Sequence, residues 1–236
     1  MLEHDHDPAS IKQRISGPTR KSYLKDVVFG AIDGAVTTFA IVAGVVGANL
    51  PLKVIVALGI ANVLADGFSM AAGNYSGTKA ELDDMRRLRE VEERHIREAP
   101  DGERAELREI LAQKGLSGEV LTAAVDAISQ KREVWIDMML VEEYGLSPND
   151  PHPMRAAIAT FTAFLLAGLV PLLPYLVGAD QPFRWSIAMT ALTFMAVGAL
   201  KSRWSLAPWW RSAGETLLIG GAAAMIAYVV GTFFRV

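Results

Sequence analysis

The sequence contains no cysteine. Disulfides, thiolate zinc sites and iron–sulfur clusters are therefore excluded, and any metal must be held by carboxylate, imidazole, thioether, amide or water. Charge of one sign is also scarce: 23 Lys and Arg against 26 Asp and Glu leave a formal net charge of −3. So small an imbalance argues against nucleic acid as a partner. No phosphate-cradling glycine loop, no nucleophile elbow and no paired Ser/His motif occurs. Neither a catalytic centre nor a prosthetic group is expected. Residues 1–25 are polar and lead straight into a long apolar run, so no secretory leader is expected either.

Long apolar stretches are abundant. The chain has 236 residues, 51% of them hydrophobic, and a mean hydropathy of +0.26. Its apolar residues cluster in five runs, at 27–50, 54–81, 156–177, 185–200 and 217–234. A helix needs about 20 apolar residues to cross a bilayer. The expected fold is an all-α membrane protein with five transmembrane helices and a cytoplasmic helical metal-binding insert between the second and third. The expected divisions are a tail at 1–25, spans one and two at 26–78, the insert at 79–153, and spans three to five at 154–236. The tail holds His4, His6 and three acids and reads as disordered.

The second run carries polar groups that lipid disfavours. Asn62, Asp66, Met70 and Asn74 recur every four residues and form one drifting stripe on a helix. An ionised carboxylate in a span costs at least ~2.5–3.5 kcal/mol and usually faces a bundle interior or a water-filled path. A thioether one turn from a carboxylate is a soft ligand that transition metals accept and magnesium or calcium do not favour. In the first run Asp26 and Asp33, seven apart, share a face, and Gly30/Gly34 make a small-xxx-small pair; Gly73/Gly77 repeat that spacing in the second. Two readings of Asp33 and Asp66 stand side by side. They fix helix packing through hydrogen bonds to Thr37 or Asn62, or they relay a cation or a proton.

Residues 79–148 change character, with 17 acids against 11 Lys and Arg, a net charge of −6. Periodicity is helical throughout. Leu82, Met85 and Leu88 mark one amphipathic helix. Leu107, Ile110 and Leu111 mark a second, begun after the Pro100-Asp101-Gly102 turn. A third starts near Ser117, and a fourth covers 128–141. So short an insert is expected to have little core of its own. Glu103, Glu106 and Glu109 fall at three-residue steps, as do His95 and Glu98, while Glu142 and Glu143 end the last helix beside Met138 and Met139. Carboxylates at i, i+3 share a face and clamp a divalent ion in helix bundles; singly, each reads as a solvated surface charge. His152, Pro171 and Pro174 read as loop and kink features.

Lys and Arg set the orientation. Five stand in the tail, at Lys12, Arg14, Arg20, Lys21 and Lys25, against Lys53 alone across the first span. The tail, the insert and the 201–211 link, with Trp204, Trp209 and Trp210 at the interface, then lie on the cytoplasmic side. The C-terminus lies opposite.

Four stretches, VVFGAIDGAVTTFAIVAGVVGA, ADGFSMAAGNYSGTKAE, APDGERAELREIL and WIDMMLVEEYGL, resemble the vacuolar iron transporter family in order and spacing. The resemblance covers about residues 22–235. It implies a five-span homodimer that moves ferrous iron, and often manganese, out of the cytosol in exchange for protons, along a path between the protomers. In a bacterial cell that places it in the inner membrane. The family's pathway aspartate corresponds to Asp33, with Asp26 one face-length earlier, and its pathway methionine to Met70. Its cytoplasmic metal-binding glutamates map onto Glu98, Glu106, Glu109 and Glu143, and a soft ligand onto Met139. Three positions depart from the family pattern. Asn62 stands where a glutamate is common, with Asp66 one turn later to take over its role. His95 stands at the first insert glutamate, and Leu140 at a second methionine, beside Met138. The rival reading is a membrane-anchored iron sensor or iron-oxidising module whose spans only anchor it.

Overall fold

A computed structural model describes residues 5–17, 22–146, 152–202 and 207–235. Arg20, Lys21 and Trp204, named above for orientation, lie outside them, as does His4. The chain forms two compact units, one of residues 23–79 with 152–236, the other of 1–22 with 80–151. Among the described residues there is no strand, and five helices are long and apolar enough to cross a membrane.

In the membrane unit the first span is α2, Leu24–Gly47. It ends where Asn49 takes a left-handed conformation (φ 59°) and the Asn49 and Leu50 amides donate back to the Val46 and Val45 carbonyls. Asn tolerates that geometry better than most residues with a Cβ. Next comes α3, Leu52–Glu98, a single helix of 47 residues. The third span is α7, Pro153–Leu169, continued by one 3-10 turn at Val170–Leu172 and a short α8, Leu173–Leu176. Pro171 and Pro174 produce that change of pitch, since neither can donate an amide to the preceding turn. The last spans are α9, Pro182–Ser202, and α10, Trp209–Phe233, the latter beginning eight residues before the apolar run does.

α2 is the central strut. A Cβ added at Gly30 or Gly34 would strike the Thr160 or Phe164 backbone of α7. At its other end Gly44 and Gly47 lie against the backbone of α10 around Ala227, Tyr228 and Gly231. Gly198 of α9 approaches Ala213 of α10 in the same way. Lipid tails are as apolar as leucine, so helices in a bilayer gain little from hydrophobicity and depend on such close approach. The space that remains is filled by Phe39, Val42, Val45, Ile55, Val63 and Leu172. α3 docks through Gly59, against the Leu172 side chain, and Gly67, against Phe164. Gly73 and Gly77, which carry the same sequence signature, meet nothing within 4 Å.

In the second unit the polar tail contains a nine-residue helix, α1, Pro8–Ser16. Asp7 caps it by accepting from the Ala9 and Ser10 amides, so the reading of the tail as disordered fails there. The helix expected around Leu82 is not separate, because α3 runs on to Glu98 without a break. α4, Pro100–Gln113, starts at the supposed turn instead of after it. Proline at the first helical position loses an amide that would be unpaired anyway, and Asp101 and Glu103 favour the positive end of the helix. α5, Gly118–Ser129, takes in Ile128, and α6, Arg132–Glu142, begins later than the periodicity suggests. The insert also has a true core. Ile96, Leu107, Leu111, Val125, Trp135, Ile136, Met139 and Leu140 are all buried together. Arg89 ties α3 to α6, bonding Asp137 at 2.7 Å and also Glu133.

Candidate functional site

Two clusters of chemistry-bearing residues stand out, one in each unit. In the membrane unit the stripe on α3 is half-buried at Asn62, Asp66, Met70 and Asn74. Its two carboxamides are clips. Asn62 Nδ2 donates to the Thr37 and Thr38 hydroxyls at 3.2 and 3.4 Å. Asn74 Nδ2 donates to Asp26 Oδ1 at 2.8 Å and to Thr160 Oγ1 at 2.7 Å, joining α2, α3 and α7. Thr37 in turn donates to the backbone carbonyl of Asp33 at 2.9 Å, leaving that carboxylate out of the network.

Packing therefore accounts for Asn62, Asn74 and Asp26, and it does not account for Asp33 and Asp66. These two acids lie within electrostatic reach of each other. The described ion pairs of this unit, Lys201–Glu215 and Arg211–Glu215, lie elsewhere. Two like charges in a low-dielectric layer repel unless a cation or a proton joins them. Met70, one turn beyond Asp66, adds a polarizable sulfur to that neighbourhood.

The second cluster is Glu92, His95 and Glu103, whose ligand atoms all lie within 4.8 Å of one another. Glu92 and His95 share a face of α3 at i, i+3. Ala99 precedes a proline and leaves helical geometry at φ −137°. That sharp break brings Glu103, in the first turn of α4, back to the two residues. His95 Nδ1 is 3.3 Å from Glu103 Oε1 and 3.9 Å from Glu92 Oε1. Tyr144 donates to Glu92 Oε1 at 2.9 Å.

Glu92 and Glu103 are 1% and 4% exposed, and each keeps one buried oxygen without a partner among the described residues. Unpartnered buried oxygens are costly, and a divalent ion is the partner their chemistry suits. Two carboxylates and one imidazole suit ferrous, manganous or zinc ions. Burial, followed by the charges of Glu92 and Glu106, pushes the Glu103 carboxyl up to about 7. Burial likewise raises Glu92, outside the apolar part of α3, against the hydrogen bond from Tyr144.

A pH dependence follows. Below about 4.5 Glu103 is protonated both folded and unfolded, and between there and about 7 only the folded state keeps the proton. The metal-free protein should thus lose up to roughly 3 kcal/mol as pH rises through that window. Divalent manganese should restore the melting temperature more at pH 8 than at pH 5, because at pH 5 the proton competes for the carboxylate. Melting curves of the wild type and Glu103→Gln in detergent test this, and equal pH slopes for both would remove Glu103 from the site.

The remaining predicted ligands are spread around this centre. Glu106 and Glu143 contribute negative potential to Glu103. Glu98 pairs loosely with Arg97 at 3.8 Å, Glu109 accepts from Gln113 at 3.2 Å, and Glu142 is bridged to Lys114 at 2.7 Å. Met139 is fully buried in the insert core, with Met138 half-buried beside it. Glu92 is the residue that the sequence reading misses. Its signal is the Glu-x-x-His spacing to His95, the pattern by which helix bundles present two ligands on one face.

A sequence profile of the VIT family matches residues 24–232. The chain is 36% identical over 215 residues to vacuolar iron transporter 1 of Tulipa gesneriana, covering 90% of this chain and 87% of that protein. It is 33% identical over 213 residues to vacuolar iron transporter 1 of Oryza sativa subsp. japonica, covering 89% and 84%. The vacuolar iron transporter of Toxoplasma gondii is 33% identical over 229 residues, covering 92% and 76%.

Proposed function

The chain belongs to the VIT family, and from that premise we propose that it carries ferrous iron, and manganese as a second cargo, out of the cytosol in exchange for protons. The observation that carries this reading is the Asp33/Asp66 pair, two acids within electrostatic reach of each other in the membrane unit, apart from its described ion pairs. A divalent ion leaving water needs compensating charge, and two carboxylates supply it. When the ion departs, a proton taken up by the pair relieves the repulsion, so metal and proton alternate on the same groups.

In this reading Asp33, Asp66 and Met70 line the path, and Asn62 and Asn74 hold its two helices in register. Glu92, His95 and Glu103, with Glu106, Glu143 and the flanking Glu98, Glu109, Met138, Met139 and Glu142, gather metal on the cytoplasmic side. The Lys and Arg bias places the N-terminus and insert there and the C-terminus across the membrane. The half-exposed stripe and the open Gly73 and Gly77 leave a face of α3 for a second copy, so the path runs between two protomers.

The Glu92/His95/Glu103 cluster alone also fits an anchored iron sensor or oxidising module. A plain anchor has no use for Asp33 and Asp66. Purified protein in sealed vesicles, loaded with a dye quenched by ferrous or manganous ion, separates the two. Uptake that accelerates under an opposing proton gradient supports exchange. Metal bound outside with no quenching inside overturns transport.

A further inference from the structure

We propose that the groove between α2 and α7 is a binding site for one anionic phospholipid, with Arg155 holding the headgroup phosphate. The groove encloses about 470 Å³ and is lined by Tyr23 and Val27 of α2 and by Arg155, Ile158, Thr162 and Leu166 of α7, among others. Every described wall residue but one is uncharged, and that one stands at an end.

Arg155 lies in the first turn of α7, a turn with no acidic residue. It is exposed, and no ion pair among the described residues engages it. Beside it at the same end is Tyr23, the residue that opens α2, whose hydroxyl is buried and has no hydrogen-bond partner among the described residues. A guanidinium and a phenol hydroxyl are both donors, and a phosphate diester offers acceptors to both. Tyrosine is moreover a residue of the headgroup level.

Length fixes the rest of the ligand. From Arg155 to Leu166 the groove follows α7 for 11 residues, about 16 Å at 1.5 Å per residue. That is close to half of the ~30 Å hydrocarbon core, the depth of a single leaflet. Ile158 and Leu166 remain exposed along it at 57% and 65%, an apolar surface the chain itself leaves uncovered. One acyl chain lying in the groove with its phosphate at Arg155 covers that surface. A free phosphate would use only the polar end. Anionic headgroups are concentrated in the cytoplasmic leaflet, which is the side proposed for this end of α2 and α7.

The test uses the full protein in neutral detergent, with dioleoyl phosphatidylglycerol, dioleoyl phosphatidylcholine and glycerol phosphate as probes. Thermal shift titrations should show roughly fivefold tighter binding of the anionic lipid than of the zwitterionic one, the ratio that about 1 kcal/mol per basic residue gives. Glycerol phosphate should produce no shift. Arg155→Gln should bring the two lipids to equal affinity, and Thr162→Phe, which fills the groove, should weaken both lipids alike. Equal affinity in the wild type, a preference that survives Arg155→Gln, binding unaffected by Thr162→Phe, or a shift with glycerol phosphate would each overturn the site.

Discussion

Asp33→Asn should reduce transport of ferrous and manganous ion alike by a factor of about 100 or more, with the protein still folded. Folding survives because the bond that ties Thr37 to residue 33 goes to its backbone carbonyl, not to the side chain. Asparagine also keeps the size of aspartate. What disappears is one of the two charges proposed to compensate a divalent ion in the low-dielectric layer, a loss of several kcal/mol at ~1.4 kcal/mol per tenfold. Met70→Leu tests a different property. Volume is nearly kept, while the polarizable sulfur is lost, so iron should suffer more than manganese, the harder ion. Initial rates for both metals in the same vesicles give the comparison. An unchanged iron-to-manganese ratio in Met70→Leu would make that residue packing, and near-normal rates in Asp33→Asn would remove the acid pair from the path.

Gly34→Leu should prevent the membrane unit from assembling. A Cβ there would stand 2.9 Å from Phe164 Cα and 3.0 Å from its carbonyl carbon, and backbone cannot swing aside as a side-chain tip does. Overpacking usually costs about 1–3 kcal/mol, and parting two helices along their contact exceeds that range. Gly221→Leu, placed on α10 where nothing lies within 4 Å, should leave the melting temperature unchanged. Yield of monodisperse protein and melting curves for the two variants decide the matter. Equal behaviour would mean that α2 and α7 do not meet through Gly34.

These glycines also mark what a sequence reveals and what it withholds. Gly30/Gly34 and Gly73/Gly77 have the same spacing, yet only the first pair meets another helix of this chain among the described residues. Spacing says that close approach is allowed, and the position of a neighbour says whether it happens. The five spans are legible because length and hydropathy are local properties. Continuity of α3 past Lys79 is not, since a shift from apolar to charged composition resembles a boundary while breaking no hydrogen bond. Asp33 and Asp66 stand out because an acid among apolar residues is rare. Glu92 is lost among 17 acids in residues 79–148, and only the sharp break at Ala99 and Pro100 joins it to Glu103.

The central place of α2 has a consequence for how the chain is made. Of the five spans it leaves the ribosome before the other four, and its Gly47 packs on Tyr228, which lies 181 residues further along. At about 5–20 residues per second the interval is roughly 10–35 s. Throughout it, the grooved surface meant for α10 stands open to lipid. Asp26 also waits for the Asn74 amide that will occupy it. Until α10 is made, that surface has only lipid or the insertion machinery for a partner. A chain truncated before α10 keeps that surface open for good, with no α10 for Gly44 and Gly47 to face.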